Sequence, residues 1–384
     1  MTEINELNEK RFDQGVGIDD TTGIEQEDID SDERITEPFD PTLIRVETKT
    51  MTIDLLLTRI KLEELDLTPG FQRKGGIWSD GAQSRLIESI LIRIPLPAFY
   101  VDATNDEKWL VVDGLQRLTA LKRFVLDQEF ALQGLEFLTQ LKAKKYSDLP
   151  RPYQRRIVET QVTVYLIDKG TPGEVKFNIF KRINTGGLPL SAQEIRHALN
   201  QGKASDLLAK LANSKEFKKA IDNGIRDERM ADRECVLRFF AFSLVSYTTY
   251  KAKEFDSFLN DSMHTINNMT DTEITDIEHQ FLRAMQAAYD LFGKDAFRKR
   301  YDRSAARYPI NKALFESWSV NLHRLDNNQL QLLKDKKALL QEQFMQLMSS
   351  DNLFGTAVSQ GTGDISKVKR RFSTIERLIK DVLA

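Results

Sequence analysis

Within the stretch WLVVDGLQRLTAL, Trp109 to Leu121, four residues have types suited to handling phosphate: Asp113, Gly114, Gln116 and Arg117. The first half reads as a buried strand and the second as an amphipathic helix. A strand that ends in an Asp-Gly turn and opens into a helix points free backbone N–H groups at an anion, and the helix dipole favours that charge. An arginine in the first helical turn opposes the same dipole unless an anion lies between them. Its planar fork can hold phosphate oxygens in a bidentate manner. Asp113 can hold a divalent metal or orient Arg117, and Gln116 can position a water or a ligand oxygen. On the plainer reading, Asp113 caps the helix and Arg117 pairs with a surface acid. Short Asp-Gly turns are common, so spacing alone does not choose between the two.

Two further stretches carry related chemistry. GFQRKGGIW places Arg73 and Lys74 in a glycine-bearing loop, the composition of an anion cradle, and Gln72-Arg73 echoes Gln116-Arg117. FKRINTGGLPLSAQEIRHAL gathers Arg182, Asn184, Ser191, Gln193, Glu194, Arg196 and His197 around Gly186 and Gly187. Ser191 and Glu194 have the spacing of a capping box, which is compatible with a place in a site. The four histidines, His197, His264, His279 and His323, have no metal-ligand spacing. Phosphate-loop, nucleophile-elbow and dinucleotide fingerprints are missing. Basic runs at Lys294–Arg307 and Lys367–Phe372 can track a nucleic-acid backbone, but a solvated helix face explains them more simply.

These residues need positioning elements, and the periodicity supplies them. Ile53, Leu56, Leu57 and Ile60 have helical spacing. So do Leu86, Ile87, Ile90, Leu91 and Ile94, behind a cap at Ser79 or Asp80 and ahead of Pro95 and Pro97. AFYVDA, KWLVVDG and QVTVYLID read as strands, the last with Val162, Val164 and Leu166 alternating. LQRLTALKRFVLD is a helix with Leu118, Leu121 and Phe124 or Val125 inward. Thr171, Pro172 and Glu174 predict a second capping box. From about residue 203 the pattern is almost wholly helical, and Gly293 is a natural stop for one of its helices.

Apolar residues make up 41% of the 384 and charged residues 29%, as in ordinary globular proteins. No apolar run approaches a membrane span and the N-terminus lacks the pattern of a signal peptide, so a cytoplasmic protein is expected. A lone cysteine, Cys235, excludes an internal disulfide and a multi-cysteine zinc site. The net charge of −3 conceals an asymmetry: residues 1–40 hold 14 acids and 3 bases, net −11, which leaves +8 on the rest. The expected organisation is a disordered acidic arm over 1–42, an α/β-patterned domain over 43–202 and a helical domain over 203–384. An arm folding back over a basic groove, in competition with a polyanion, is a second reading of the same charges.

Four motifs, FQR…W, SRLIESILIRIPLPAFYV, VVDGLQRLTAL and IFKRINTGGLPLSAQEIRHAL, occur in an order and spacing that closely resemble the ParB/sulfiredoxin-like family. That family includes the GmrS portion of GmrSD restriction enzymes, and the resemblance covers about residues 45 to 200. It implies an α+β fold, a small mixed sheet with helices, followed here by an all-α domain. The family's Asp-Gly-x-Gln-Arg signature maps onto Asp113, Gly114, Gln116 and Arg117. The implied function is nucleoside triphosphate binding and hydrolysis in anti-phage restriction, with Mg2+ on Asp113. The resemblance brings Gln72, Arg73 and Asn184 to the same site, and Arg182, Gly186 and Gly187 complete the expected phosphate contacts. No cysteine stands in the turn, so sulfinic-acid reductase chemistry is excluded. No His-Asn-His segment follows, which implies DNA or a separate nuclease or other defence protein as partner; a homo-oligomer is left open. Two other functions fit the same residues: a ParB-like nuclease that nicks DNA, and a non-enzymatic switch that binds DNA or a partner.

Overall fold

Between Thr52 and Lys61 the chain does what its apolar spacing dictates. Helix α1 (Ile53–Lys61) buries Ile53, Leu56, Leu57 and Ile60, and the Thr52 hydroxyl caps it by accepting from Leu55 N–H at 3.2 Å. A computed structural model describes residues 19, 22–26, 44–67, 78–183, 190–251, 254–303 and 307–384. The chain divides into two compact units. One spans 38–199, and the other comprises 200–384 with the N-terminal stretch to residue 37. The second of these boundaries falls three residues before the expected one.

The first unit is α+β. Strands β1 (Val46–Thr52), β2 (Leu65–Asp66), β3 (Phe99–Asp102), β4 (Trp109–Asp113) and β5 (Gln161–Ile167) form a mixed sheet in the order β1-β5-β3-β4-β2. The outer pair β1–β5 and the inner pair β3–β4 are antiparallel, while β3–β5 and β2–β4 are parallel. Alternation assigns the two faces. Phe99, Val101, Trp109, Val111, Val162, Val164 and Leu166 join the larger core beneath α1, α2 (Asp80–Leu91) and α3 (Leu115–Leu121). Helix α4 (Arg151–Glu159) adds Ile157 to that core. Val112 and Ile167 face the opposite way, into a smaller cluster with Phe177, Phe180 and Ile195 from α5 (Gly173–Ile183) and α6 (Ala192–Leu199).

Three local expectations change. Helix α2, capped by Ser79, ends at Leu91, and Ile94 is 51% exposed rather than on its buried face. Ile94 precedes Pro95, whose ring disfavours the helical conformation for the residue before it, and Arg93 has φ +66°. Thr171 does not cap α5. Its hydroxyl accepts from Arg45 N–H at 3.2 Å, so it serves the start of β1 instead. After α3 the helix widens into a π turn over Lys122–Leu126, which selects Phe124 over Val125 as the inward residue.

Among the described residues the second unit is helical: α7 (Lys203–Ala212), α8 (Lys215–Ala220), α9 (Ala231–Leu244), α10 (Phe255–Asn267) and α11 (Asp271–Phe292) come first. Then follow α12 (Lys312–His323), α13 (Asn327–Asp335), α14 (Lys337–Ser350), α15 (Asn352–Ser359) and α16 (Ile365–Leu383). Gly293 stops α11 with φ +58°. The core centres on Phe239, Phe240, Phe281, Phe315 and Trp318, each at most 1% exposed.

The basic run Lys294–Arg307 is neither a helix face nor an open cationic track. Its arginines fasten an irregular loop: Arg298 donates to Tyr308 O at 2.6 Å and to Ile221 O at 3.2 Å, and Arg307 pairs with Asp222 at 2.7 Å. Burial pulls the Arg298 guanidinium down to about 10. In the second run, Arg371 is fully buried on Glu316. Part of the acidic arm also departs from expectation, because Thr22, Ile24 and Glu25 are buried in the helical unit rather than solvated. A single isoleucine without periodicity carries no sequence signal for such docking.

Candidate functional site

The centre of the site is the crossover from β4 to α3. Gly114 makes it possible. It has φ +98°, and a Cβ there would lie 2.3 Å from Phe99 Cδ1 and 3.2 Å from Arg117 Nη2. The chain therefore turns tightly over the Phe99 ring, and no side chain of the described residues caps the first turn of α3. The first intrahelical bond runs from Leu118 N–H to Gly114 O at 2.9 Å. The earlier amides of α3 carry the partial positive charge that suits an anion.

Arg117 points inward rather than out to a ligand. Nη2 donates to Ala98 O at 3.0 Å and to Asp113 Oδ2 at 3.0 Å, and Nη1 donates to Pro97 O. Its guanidinium carbon lies 4.4 Å from the Phe99 ring centroid, a cation–π placement. Burial lowers its pKa while the Asp113 carboxylate opposes that shift, and the group stays cationic. The pairing partner is Asp113, the carboxylate expected to orient Arg117 on the functional reading, rather than a separate surface acid. The Asp113 side chain keeps 27% exposure against 10% for Arg117. One carboxylate oxygen is thus held by a strut and the group as a whole still meets solvent.

Gln116 fastens a neighbouring segment. Its Oε1 accepts from Trp78 N–H at 3.1 Å, and Gln83 Nε2 donates to Trp78 O at 2.5 Å. Both backbone groups of Trp78 are thereby held, one by the signature helix and one by α2. Gln83 is 1% exposed, and sequence reasoning missed it; a polar residue on an otherwise apolar helix face was the available signal. Phe99 and the carbonyls of Pro97 and Ala98 were also missed, and backbone carbonyls give no signal in residue type.

Of the other expected site residues, Gln72, Arg73, Asn184, Gly186 and Gly187 lie outside the described residues. Arg182 is exposed at the C-terminal end of α5. Ser191 and Glu194 form the expected capping box, with Glu194 N–H on Ser191 Oγ at 3.1 Å and Ser191 N–H on Glu194 Oε2 at 2.6 Å. Gln193, Glu194, Arg196 and His197 are all buried on α6. Arg196 Nε donates to Gln193 Oε1 at 2.9 Å, and its guanidinium sits 5.7 Å from the Phe177 ring centroid. Phe177 packs in the same small cluster as Val112, the neighbour of Asp113. Beside it, buried Lys176 bonds Asp102 at 3.3 Å and Thr104.

No group of three or more His, Cys, Asp or Glu residues among those described is arranged to hold a metal. A magnesium ion does not require such a cage, since one carboxylate with substrate phosphates and waters is a common way of holding it. Asp113 fits that role. Cys235 is fully buried in α9, and burial pushes its thiol pKa up, which makes it inert. No described helix is long and apolar enough to cross a membrane.

A search among curated proteins finds no match. Residues 53–201 match the family model described as GmrSD restriction endonuclease, N-terminal domain. That segment runs from α1 to just beyond α6 and contains the whole β4–α3 crossover. Over that segment, which carries the Asp113–Arg117 turn, the chain is similar to the N-terminal domain of GmrSD restriction endonucleases.

Proposed function

We propose that this chain is the nucleotide-hydrolysing component of a bacterial restriction system, acting at the β4–α3 turn on a nucleoside triphosphate and working with DNA or a nuclease partner. One observation carries the reading: among the described residues no side chain caps the start of α3, which follows directly on a part-exposed carboxylate that Arg117 holds in place. The amides of the first turn bind phosphate oxygens. Asp113 holds Mg2+ or orients the attacking water, and Arg117 shapes the turn from below. Magnesium bound there neutralises charge that develops on the phosphoryl oxygens. Gln116 holds the backbone of Trp78, and Gln72 and Arg73 are proposed as further phosphate contacts. Arg182, Asn184, Gly186 and Gly187 are proposed for the opposite side of the ligand.

The family description favours a second reading, a nuclease that acts on a DNA phosphodiester through the same Asp113. One assay separates them. Purified protein is incubated with each nucleoside triphosphate, with and without Mg2+ and plasmid DNA, and phosphate release and nicking are followed together. Hydrolysis needs release that vanishes in Asp113→Asn. Nicking without nucleotide turnover establishes the nuclease instead. Release that survives Asp113→Asn removes the site assignment.

A further inference from the structure

We propose that Asp19 and residues 22–26 are a detachable latch, and that the slot they fill on the helical unit recognises a short Gly-Ile-Glu segment whose resident occupant is this chain's own N-terminal stretch. The slot is specific at each position. Gly23 has φ +72°, and a Cβ there would stand 2.6 Å from Gly224 O, so only glycine fits. Ile24 is 1% exposed within the helical core and bridges to Ile310, which also bridges to Arg298. Backbone bonds hold both sides: Arg226 N–H to Thr22 O and Glu25 N–H to Ile310 O, each 2.9 Å. This is strand addition in miniature.

The polar end demands an acid. The Glu25 carboxylate bonds buried Lys299 and accepts from Asn311 Nδ2 at 3.2 Å. Lys299 is 5% exposed, and its other hydrogen bond goes to Ser359 Oγ at 2.7 Å. Without Glu25 the slot would enclose an ammonium group with no counter-charge, which is strongly unfavourable. The occupant also shapes itself. Thr22 Oγ1 donates to Asp19 Oδ2 at 2.8 Å, and Asp19 O accepts from Gly23 N–H at 2.7 Å.

Detachment follows from the balance of forces. One apolar side chain, one ion pair and a few hydrogen bonds oppose the ordering of about six residues. The latch docks on the unit formed by 200–384, yet in sequence it precedes the other unit.

The test uses the full chain with its own latch disabled by Ile24→Asp, and in a second variant by Glu25→Lys. A fluorescein-labelled peptide of residues 17–28 is titrated against each and against the unaltered chain. Both variants should retain helical circular dichroism and bind the peptide saturably, and the unaltered chain should exclude it. Replacing Lys299→Glu in the Ile24→Asp chain should reverse the preference toward a Glu25→Lys peptide by at least tenfold. Folded variants that bind no peptide overturn the proposal. So does equal binding by the unaltered chain. Loss of helical structure in both variants also overturns it, since the latch is then a fixed part of the core.

Discussion

Arg117 and Arg371 both bury a guanidinium, the first 8% exposed and the second fully enclosed. Arg117 ends on two backbone carbonyls and on Asp113, whose side chain still reaches solvent. Arg371, on α16, ends on Glu316 of α12 and on the carbonyl of Thr362 at 2.7 Å. Arg238 approaches the other Glu316 oxygen at 3.5 Å and bonds Glu234 at 2.8 Å. In the helical unit, then, Glu316 and Arg371 are fully enclosed and Arg238 nearly so, and the ladder approaches solvent at Glu234, 11% exposed. In the α+β unit the arginine is buried so that an acid beside it can stay accessible. Burial of a charge does not by itself mark a site; the difference lies in which partner keeps an open side.

The largest effect expected from breaking this comparison comes from Glu316→Leu. It leaves Arg371 enclosed without its carboxylate, while Arg238 keeps Glu234, and should cost about 3–5 kcal/mol, read as lost hydrogen-exchange protection in α12 and α16. Equal protection in the variant would show that water enters the ladder. Gly114→Ala should cost about 3 kcal/mol, because it combines a positive φ with a clash against Phe99. Its melting transition should fall and phosphate release with it. Arg117→Met removes a charged strut and should cost about 2 kcal/mol, with the exchange loss confined to β3 and α3. If Arg117 contacted phosphate directly, release would vanish with stability unchanged.

A pH titration sharpens the comparison at a third buried charge. Glu88 on α2 accepts backbone N–H bonds from Glu136, Phe137 and Leu138 at 3.0, 2.8 and 2.7 Å. Burial raises its pKa, but those three bonds outweigh it and hold the carboxyl below its ordinary 4.5. A depressed folded pKa gives stability that is complete above about pH 4.5 and is lost as the pH falls through the folded value. Glu88→Gln should therefore cost about 1–2 kcal/mol at neutral pH and progressively less in acid, measured by urea denaturation at several pH values. The smallest stability change belongs to Asp113→Asn, below about 1 kcal/mol for a part-exposed pair. That substitution should nevertheless have the greatest effect on phosphate release.

Much of the positioning scaffold was legible because periodicity reports burial directly. The spacing of Ile53, Leu56, Leu57 and Ile60 and the alternation of Val162, Val164 and Leu166 correspond to real faces of a helix and a strand. The Asp113–Arg117 turn was legible for the same reason: its strand and helix patterns meet at a glycine that only a turn requires. Where expectations failed, a local signal met a tertiary demand. Thr171 has capping chemistry, but Arg45, 126 residues away, uses its hydroxyl. The arginines of Lys294–Arg307 look like a cationic track until the loop carbonyls they satisfy are seen.

By itself the sequence determined the element types, the Asp-Gly turn between β4 and α3, and the family resemblance, all consequences of local pattern and residue type. Only the tertiary structure decided where each charge goes. Arg117 meets carbonyls twenty residues earlier in the chain, Gln116 meets the backbone of Trp78, and Glu25 meets Lys299 across 274 positions. Such partners are chosen by the free energy of leaving no buried polar group unpaired. That condition is satisfied in three dimensions and leaves no period in the sequence.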